Sequence, residues 1–246
     1  MPTSRRELLA STAAGLFASM TGASAKTYGG GPGMPWRPFA ADPPQEMTNG
    51  PWKFFTGEEG ATVEALVDRL IPPDPETPGG KDCGCAVFID RQLAGPFGSA
   101  QGLYMRPPFH NGTPQQGLQA PSTPAQVYRK VLPALNEHCR TVSGGKSFTQ
   151  LSADQQDKLI TAMEKGNLRL LGASTAPFFD LLLQNTKEGF FADPIYGGNR
   201  DMAAWRMIGF PGARYDYRDW VERHNERYPL PPVGIGGRKE WTAQHS

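Results

Sequence analysis

Along this chain, short polar start signals repeatedly stand just ahead of apolar residues spaced three and four apart. That repetition constrains the fold more than any other feature. Thr56-Gly57-Glu58-Glu59 has the T-x-x-E form of a capping box, in which hydroxyl and carboxylate each satisfy an orphan amide at a helix start. Val63, Leu66, Val67, Leu70 and Ile71 follow at helical spacing, and Pro72-Pro73 closes the segment. A second helix is predicted from Asp82 to Leu93, stopped by Gly95-Pro96. Thr123-Pro124-Ala125-Gln126 opens a third, with proline at the first helical position. Its stripe is Val127, Val131, Leu132, Leu135, Cys139 and Val142; Pro133 sits inside and should kink it, and Gly144-Gly145 ends it. Ser152-Ala153-Asp154-Gln155 opens a fourth, bearing Leu159, Ile160 and Met163. Thr175-Ala176-Pro177 opens a fifth, in which Phe178, Phe179, Leu181, Leu182 and Leu183 are concentrated. A short sixth is expected from Asp201 to Ile208. There is no convincing period-2 pattern and no internal repeat. The class is therefore all-α: an irregular bundle of about six helices with long Gly/Pro-rich loops and an extended C-terminal tail.

The helical segments occupy residues 54–208 of a 246-residue chain. Its 29 glycines and 24 prolines make much of the remainder loop, including a Gly/Pro-rich arm at 26–53, the segment 97–122 and a tail at 209–246. Loops this long are uncommon in a compact domain unless they engage something, which points to a protein that docks on a partner. With 25 basic and 24 acidic residues, net charge +1, there is no electrostatic reason to expect nucleic acid.

Residues 1–25 read as an address. Paired arginines, Arg5 and Arg6, precede a weakly apolar run from Leu8 to about Gly22, and Ala23-Ser24-Ala25 is a small-x-small cleavage site. The order resembles a twin-arginine export signal, although Leu8 stands where that consensus prefers Phe. The run is too short and polar for a spanning helix, which needs about 20 predominantly apolar residues. Cleavage would start the mature chain near Lys26 in the periplasm. The twin-arginine route carries folded cargo, so a chain without a cofactor needs it chiefly when a cofactor-loaded partner travels with it.

Motifs for chemistry are missing from the sequence. It has no C-x-x-C-H for covalent haem, no G-x-G-x-x-G, no G-x-x-x-x-G-K-[ST], no G-x-S-x-G, and too few cysteines for an iron–sulfur cluster. Cys83, Cys85 and Cys139, with His138, are candidate zinc ligands, but neighbouring His138 and Cys139 project differently from one helix. In an oxidising compartment a disulfide is the preferred reading, joining Cys139 to Cys83 or Cys85, since a Cys83–Cys85 bond would be strained. The third cysteine is then a free thiol, an intersubunit bridge or a buried inert thiol. Glu188, Asp193, His138 and His224 are the imaginable acid–base groups of a stand-alone enzyme, but no nucleophile motif accompanies them.

The C-terminal third carries the strongest signal. Glu188-Gly189-Phe190-Phe191-Ala192-Asp193-Pro194-Ile195-Tyr196-Gly197-Gly198-Asn199-Arg200-Asp201-Met202 is followed by Trp205 and by Gly209-Phe210-Pro211-Gly212-Ala213. These runs resemble the gluconate 2-dehydrogenase subunit 3 family, over roughly residues 54–241. The resemblance implies a small, non-catalytic gamma subunit without a redox centre. Its partners would be a large FAD-containing dehydrogenase subunit and a multihaem cytochrome c, and membrane association would come through the complex alone. It further implies that the small subunit assists maturation of the flavoprotein and supplies its export signal. Gluconate is the first expected substrate, ahead of 2-ketogluconate, fructose or glucose. A transient periplasmic chaperone of the flavoprotein is the other open reading.

The turn formers of Asp193 to Asn199 read as a structural turn more than a binding loop. After Gly209 the helical pattern fades while Arg214, Tyr215, Tyr217, Arg218, Trp220, Arg223, Arg227, Tyr228 and Trp241 accumulate. These residue types are enriched at interface hot spots, and Arg214, Tyr215, Tyr217, Trp220, Arg223, Tyr228 and Trp241 are the candidate partner contacts. Docking is expected mainly of residues after Asp219, and self-packing of Trp205 and Phe210.

Overall fold

A computed structural model describes residues 50–110, 112–113, 121–214 and 216–236. The export-signal residues Arg5, Arg6 and Ala25, most of the arm, and the candidate contacts Tyr215 and Trp241 lie outside the described residues. Among those described there are α-helices, short 3₁₀ turns and two isolated bridges, Leu170–Ala173 and Gly212–Val233, but no strand.

Helix α1 spans Gly57–Leu70 and begins on the expected reciprocal cap: the Glu59 N–H donates to Thr56 Oγ1 at 3.2 Å and the Thr56 N–H to Glu59 Oε2 at 2.8 Å. It buries Val63, Leu66 and Val67 completely. Helix α2 spans Cys85–Ala94 and starts three residues later than predicted. The reason is Gly84, whose φ of +78° is left-handed and cannot continue a helix, and which passes so near Gly197 that an added Cβ would meet its carbonyl oxygen at 2.7 Å.

Helix α3, Pro124–Val142, is again reciprocally capped, by Thr123 and Gln126. It remains one helix through Pro133, whose side is exposed, while Val131, Leu132, Leu135 and Cys139 point inward. Val142, expected in that stripe, is exposed. Buried Asn136 joins three elements: it donates to Thr62 Oγ1 of α1 at 2.9 Å and accepts the Phe148 N–H of the turn Phe148–Gln150 at 3.1 Å. Such a satisfied polar link fixes the register of packed helices, because any slip leaves its groups unpaired.

Helix α4, Ala153–Glu164, carries the Ser152–Gln155 cap, and Ile160 and Met163 face the core. Helix α5, Ala176–Phe191, packs on α2 and α4 and supplies Phe178, Phe179, Leu182 and Phe190 to the centre. Tyr128 and Phe178 meet edge to face, ring centroids 5.2 Å apart. Thr175 does not cap α5; its hydroxyl donates backward to Leu168 O at 2.9 Å and ties the preceding loop down. Helix α6 is Ala203–Ile208, shorter than predicted, because Asp201 and Met202 have φ of +57° and +55° in the preceding 3₁₀ turn Arg200–Met202.

Candidate partner-docking surface

The Asp193–Asn199 run forms the corner between α5 and α6, and its residues have structural tasks. Asp193 Oδ1 accepts the Ile195 N–H at 3.0 Å to start the 3₁₀ turn Pro194–Tyr196. Gly198 crosses the end of α5 so closely that a Cβ there would stand 2.1 Å from Gly189 O, so no other residue fits. Asn199, fully buried, donates to Ala192 O at 2.9 Å and accepts the Ala204 N–H at 3.0 Å. It thereby ties the end of α5 to the start of α6. The Arg200 N–H donates to Cys83 O at 3.1 Å, locking the corner onto the turn before α2.

On this base sits Trp205. It is buried, its indole N–H donates to Phe191 O at 2.9 Å, and its ring meets Phe210 edge-on at 5.1 Å. Trp205 packs inward as expected. Phe210 does so only in part, since it remains 45% exposed, and beside it Phe191 (43%), Met207 (47%) and Ile208 (56%) are also open. The sequence reading did not single out Phe191, Met207 and Ile208. Two signals were available: adjacent Phe190 and Phe191 project about 100° apart on a helix, so both rarely reach the core, and a six-residue helix holding Trp205, Met207 and Ile208 has more apolar bulk than one face can bury.

The aromatic tail is arranged differently. Tyr228 is its hub: the Trp220 ring lies 4.9 Å away, Tyr217 6.0 Å, and the Arg214 guanidinium stands 4.9 Å over it. Arg223 in turn covers Trp220 at 4.8 Å. Five candidate contacts, Arg214, Tyr217, Trp220, Arg223 and Tyr228, are thus brought together, but largely against one another. The tail runs out and returns. The Ala213 N–H donates to Val233 O at 2.7 Å, the Val233 N–H to Pro211 O at 3.2 Å, and the Ile235 N–H to Asp193 Oδ2 at 2.6 Å. Among its described residues the one regular piece is the 3₁₀ turn Arg218–Trp220.

The expected disulfide is not formed: Cys83, Cys85 and Cys139 are three free, fully buried thiols. Arg140, next to Cys139, pairs with Glu58 in the first turn of α1, whereas the Cys85 N–H donates to Gly80 O and Gly80 lies against Val67 near the other end of α1. A disulfide needs Cα atoms within about 7 Å, which groups at opposite ends of that helix do not reach. Burial pushes the Cys83 and Cys139 thiols up to about 11 and raises Cys85 as well, so all three stay protonated at neutral pH. Among the described residues no group of three His, Cys, Asp or Glu side chains is gathered to hold a metal, so the zinc arrangement of these cysteines with His138 is not assembled. The imagined acid–base groups are likewise dispersed: Glu188 accepts from Gln184 at 2.9 Å, Asp193 holds backbone amides, and His224 lies exposed on the tail. Among the described residues no helix is long and apolar enough to cross a membrane.

Comparison with known proteins gives one result. The family described as gluconate 2-dehydrogenase subunit 3 matches residues 57–212, from the first residue of α1 to the glycine at which the tail closes. Neither the search of curated proteins nor that of solved structures returned a match. The matched segment includes all six α-helices described here, the Asp193–Asn199 corner and the exposed set around Trp205. The chain belongs to the gluconate 2-dehydrogenase subunit 3 family and is a subunit of a multi-subunit dehydrogenase.

Proposed function

We propose that this chain is the small, non-catalytic subunit of a periplasmic, membrane-associated, FAD-dependent gluconate 2-dehydrogenase or a dehydrogenase of a closely related sugar acid. Its partners are a large flavoprotein subunit, which performs the oxidation, and a multihaem cytochrome c, which takes the electrons. The small subunit serves maturation, export and stability of the flavoprotein. The family match over residues 57–212 carries this reading. Three features support it: the Arg5-Arg6 signal with its Ala25 exit, the lack of a cofactor motif in the sequence, and an exposed apolar set that a solitary chain has no use for.

The test is purification of the tagged full-length chain from detergent-solubilised membranes of its native bacterium. Equimolar recovery with a large flavin-containing chain and a haem-containing chain, with gluconate oxidation, is the expected result. Recovery of the chain alone and colourless from the soluble periplasm would remove the subunit reading in favour of a transient chaperone.

A further inference from the structure

We infer that α6 and its neighbours, namely Phe191, Arg206, Met207, Ile208 and Phe210, form the surface by which this chain holds the large subunit, and that the aromatic loop 213–236 braces that surface instead of supplying the contact. The inference rests on the proposed function and says which face performs it.

Four observations carry it. The first is exposure. Phe191, Met207, Ile208 and Phe210 are each about half open, and a group of exposed large apolar side chains on one short helix and its flanks is the kind of surface that marks an interaction site. The Trp205 indole N–H on Phe191 O and the Trp205–Phe210 ring contact tie Phe191 and Phe210 to α6, the helix that carries Met207 and Ile208. The second is rigidity. The base under them is fixed by Trp205 on Phe191 O and by Asn199 between Ala192 and Ala204, so little ordering is needed on docking. The third is charge. Arg206 is exposed on α6 and its guanidinium makes no ion pair among the described residues. The fitting partner surface is therefore an apolar depression edged by a carboxylate. The fourth is the extent of the family match, which contains this whole face and ends at Gly212. The tail lies beyond it, and its rings are already engaged with one another. Its returning strand-like end, through Val233 on Gly212 and Ile235 on Asp193, instead buttresses the corner under α6.

The test uses the tagged full-length chain in a strain of the native bacterium lacking its own copy, with flavin recovered per mole of chain as the readout. Failure of the unaltered chain to recover flavoprotein would refute the subunit reading itself. Given stoichiometric recovery by the unaltered chain, the pair Met207→Asp and Phe210→Asp is expected to cut flavin recovery at least tenfold. Arg206→Glu should cut it several-fold, and Trp220→Ala should change it less than twofold. Melting of each purified chain near the unaltered temperature keeps the comparison fair; should the double variant melt early, Arg206→Glu decides alone. Recovery within twofold of normal for the α6 variants, or a tenfold loss from Trp220→Ala, would overturn the assignment.

Discussion

The chain enters the helical domain and leaves it through irregular segments of similar composition, and the two are held by different physics. On entry, residues 50–55 have no helix or strand, yet Phe55 lies in the core and Trp52 and Phe54 pack against it. Asp90, fully buried on α2, accepts the N–H groups of Lys53 at 2.8 Å, Phe54 at 2.9 Å and Phe55 at 2.9 Å. Arg91 pairs with Asp90 and donates to the carbonyl oxygens of Pro51 and Gly50. Arg129 bonds Phe54 O and Glu59 while lying 4.1 Å over the Phe54 ring. Phe55 then packs on Trp52, Phe54 and Tyr128. On exit, the tail is held by a few backbone bonds and by rings that cover each other at the surface. Irregular chain is tied to the core where a buried carboxylate takes its amides, because a buried acceptor and a buried amide each cost free energy when left unpaired.

That contrast is most easily broken at Asp90. Asp90→Ala leaves three amides without an acceptor and the Arg91 guanidinium buried without its counter-charge, a loss of about 3–5 kcal/mol. Urea unfolding of the purified chain measures it. Cleavage sharpens the reading: trypsin should spare the Lys53–Phe54 bond in the unaltered chain, although Lys53 is exposed, and cut there in the variant. A loss below about 1 kcal/mol would mean the entry segment is merely draped on the domain.

At the other end, Asp193→Ala removes the acceptor for the Ile195 and Ile235 amides, and the expected global loss is smaller, about 1–2 kcal/mol. Its larger effect is local: hydrogen exchange at Ile235 should accelerate while that of α1 and α3 is unchanged. Equal acceleration in the helices would show that the tail is as integral as the entry segment.

The same division between near and distant partners governs what the sequence made legible. The caps at Thr56, Thr123 and Ser152 were readable because donor and acceptor stand three residues apart and need nothing else. Thr175 carries the same kind of signal but serves Leu168, seven residues back, because the tertiary loop offers its hydroxyl a better partner. Asp90 reaches amides more than thirty residues away, and no local pattern marks it. The disulfide failed for a related reason: compartment and cysteine count argue that a bond would survive, but the distance between thiols is set by the ends of α1. Of the docking surface, the tail aromatics were visible by composition. That they satisfy each other, leaving Phe191, Met207, Ile208 and Phe210 open, depends on how α6 sits on α5.

A second arginine–aspartate pair gives the smallest and most discriminating effect. Arg69 on α1 grips Asp157 on α4 with two bonds, at 2.7 and 2.6 Å, but at the half-exposed surface and not in the core. The hydrogen bonds from Arg69 hold the Asp157 carboxyl below its ordinary 3.8, with the guanidinium charge adding to them. A carboxyl lowered on folding contributes stability above its unfolded value and loses that contribution as pH falls through the lowered folded one. Asp157→Asn should therefore lower Tm at neutral pH by less than about 2 °C, and the gap from the unaltered chain should close as pH drops below about 4. Salt should narrow it too, since exposed pairs are screened. A gap that persisted at low pH would trace the loss to helix packing and not to charge. A gap as large as that of Asp90→Ala would mean that burial is not what separates the two ends of this molecule.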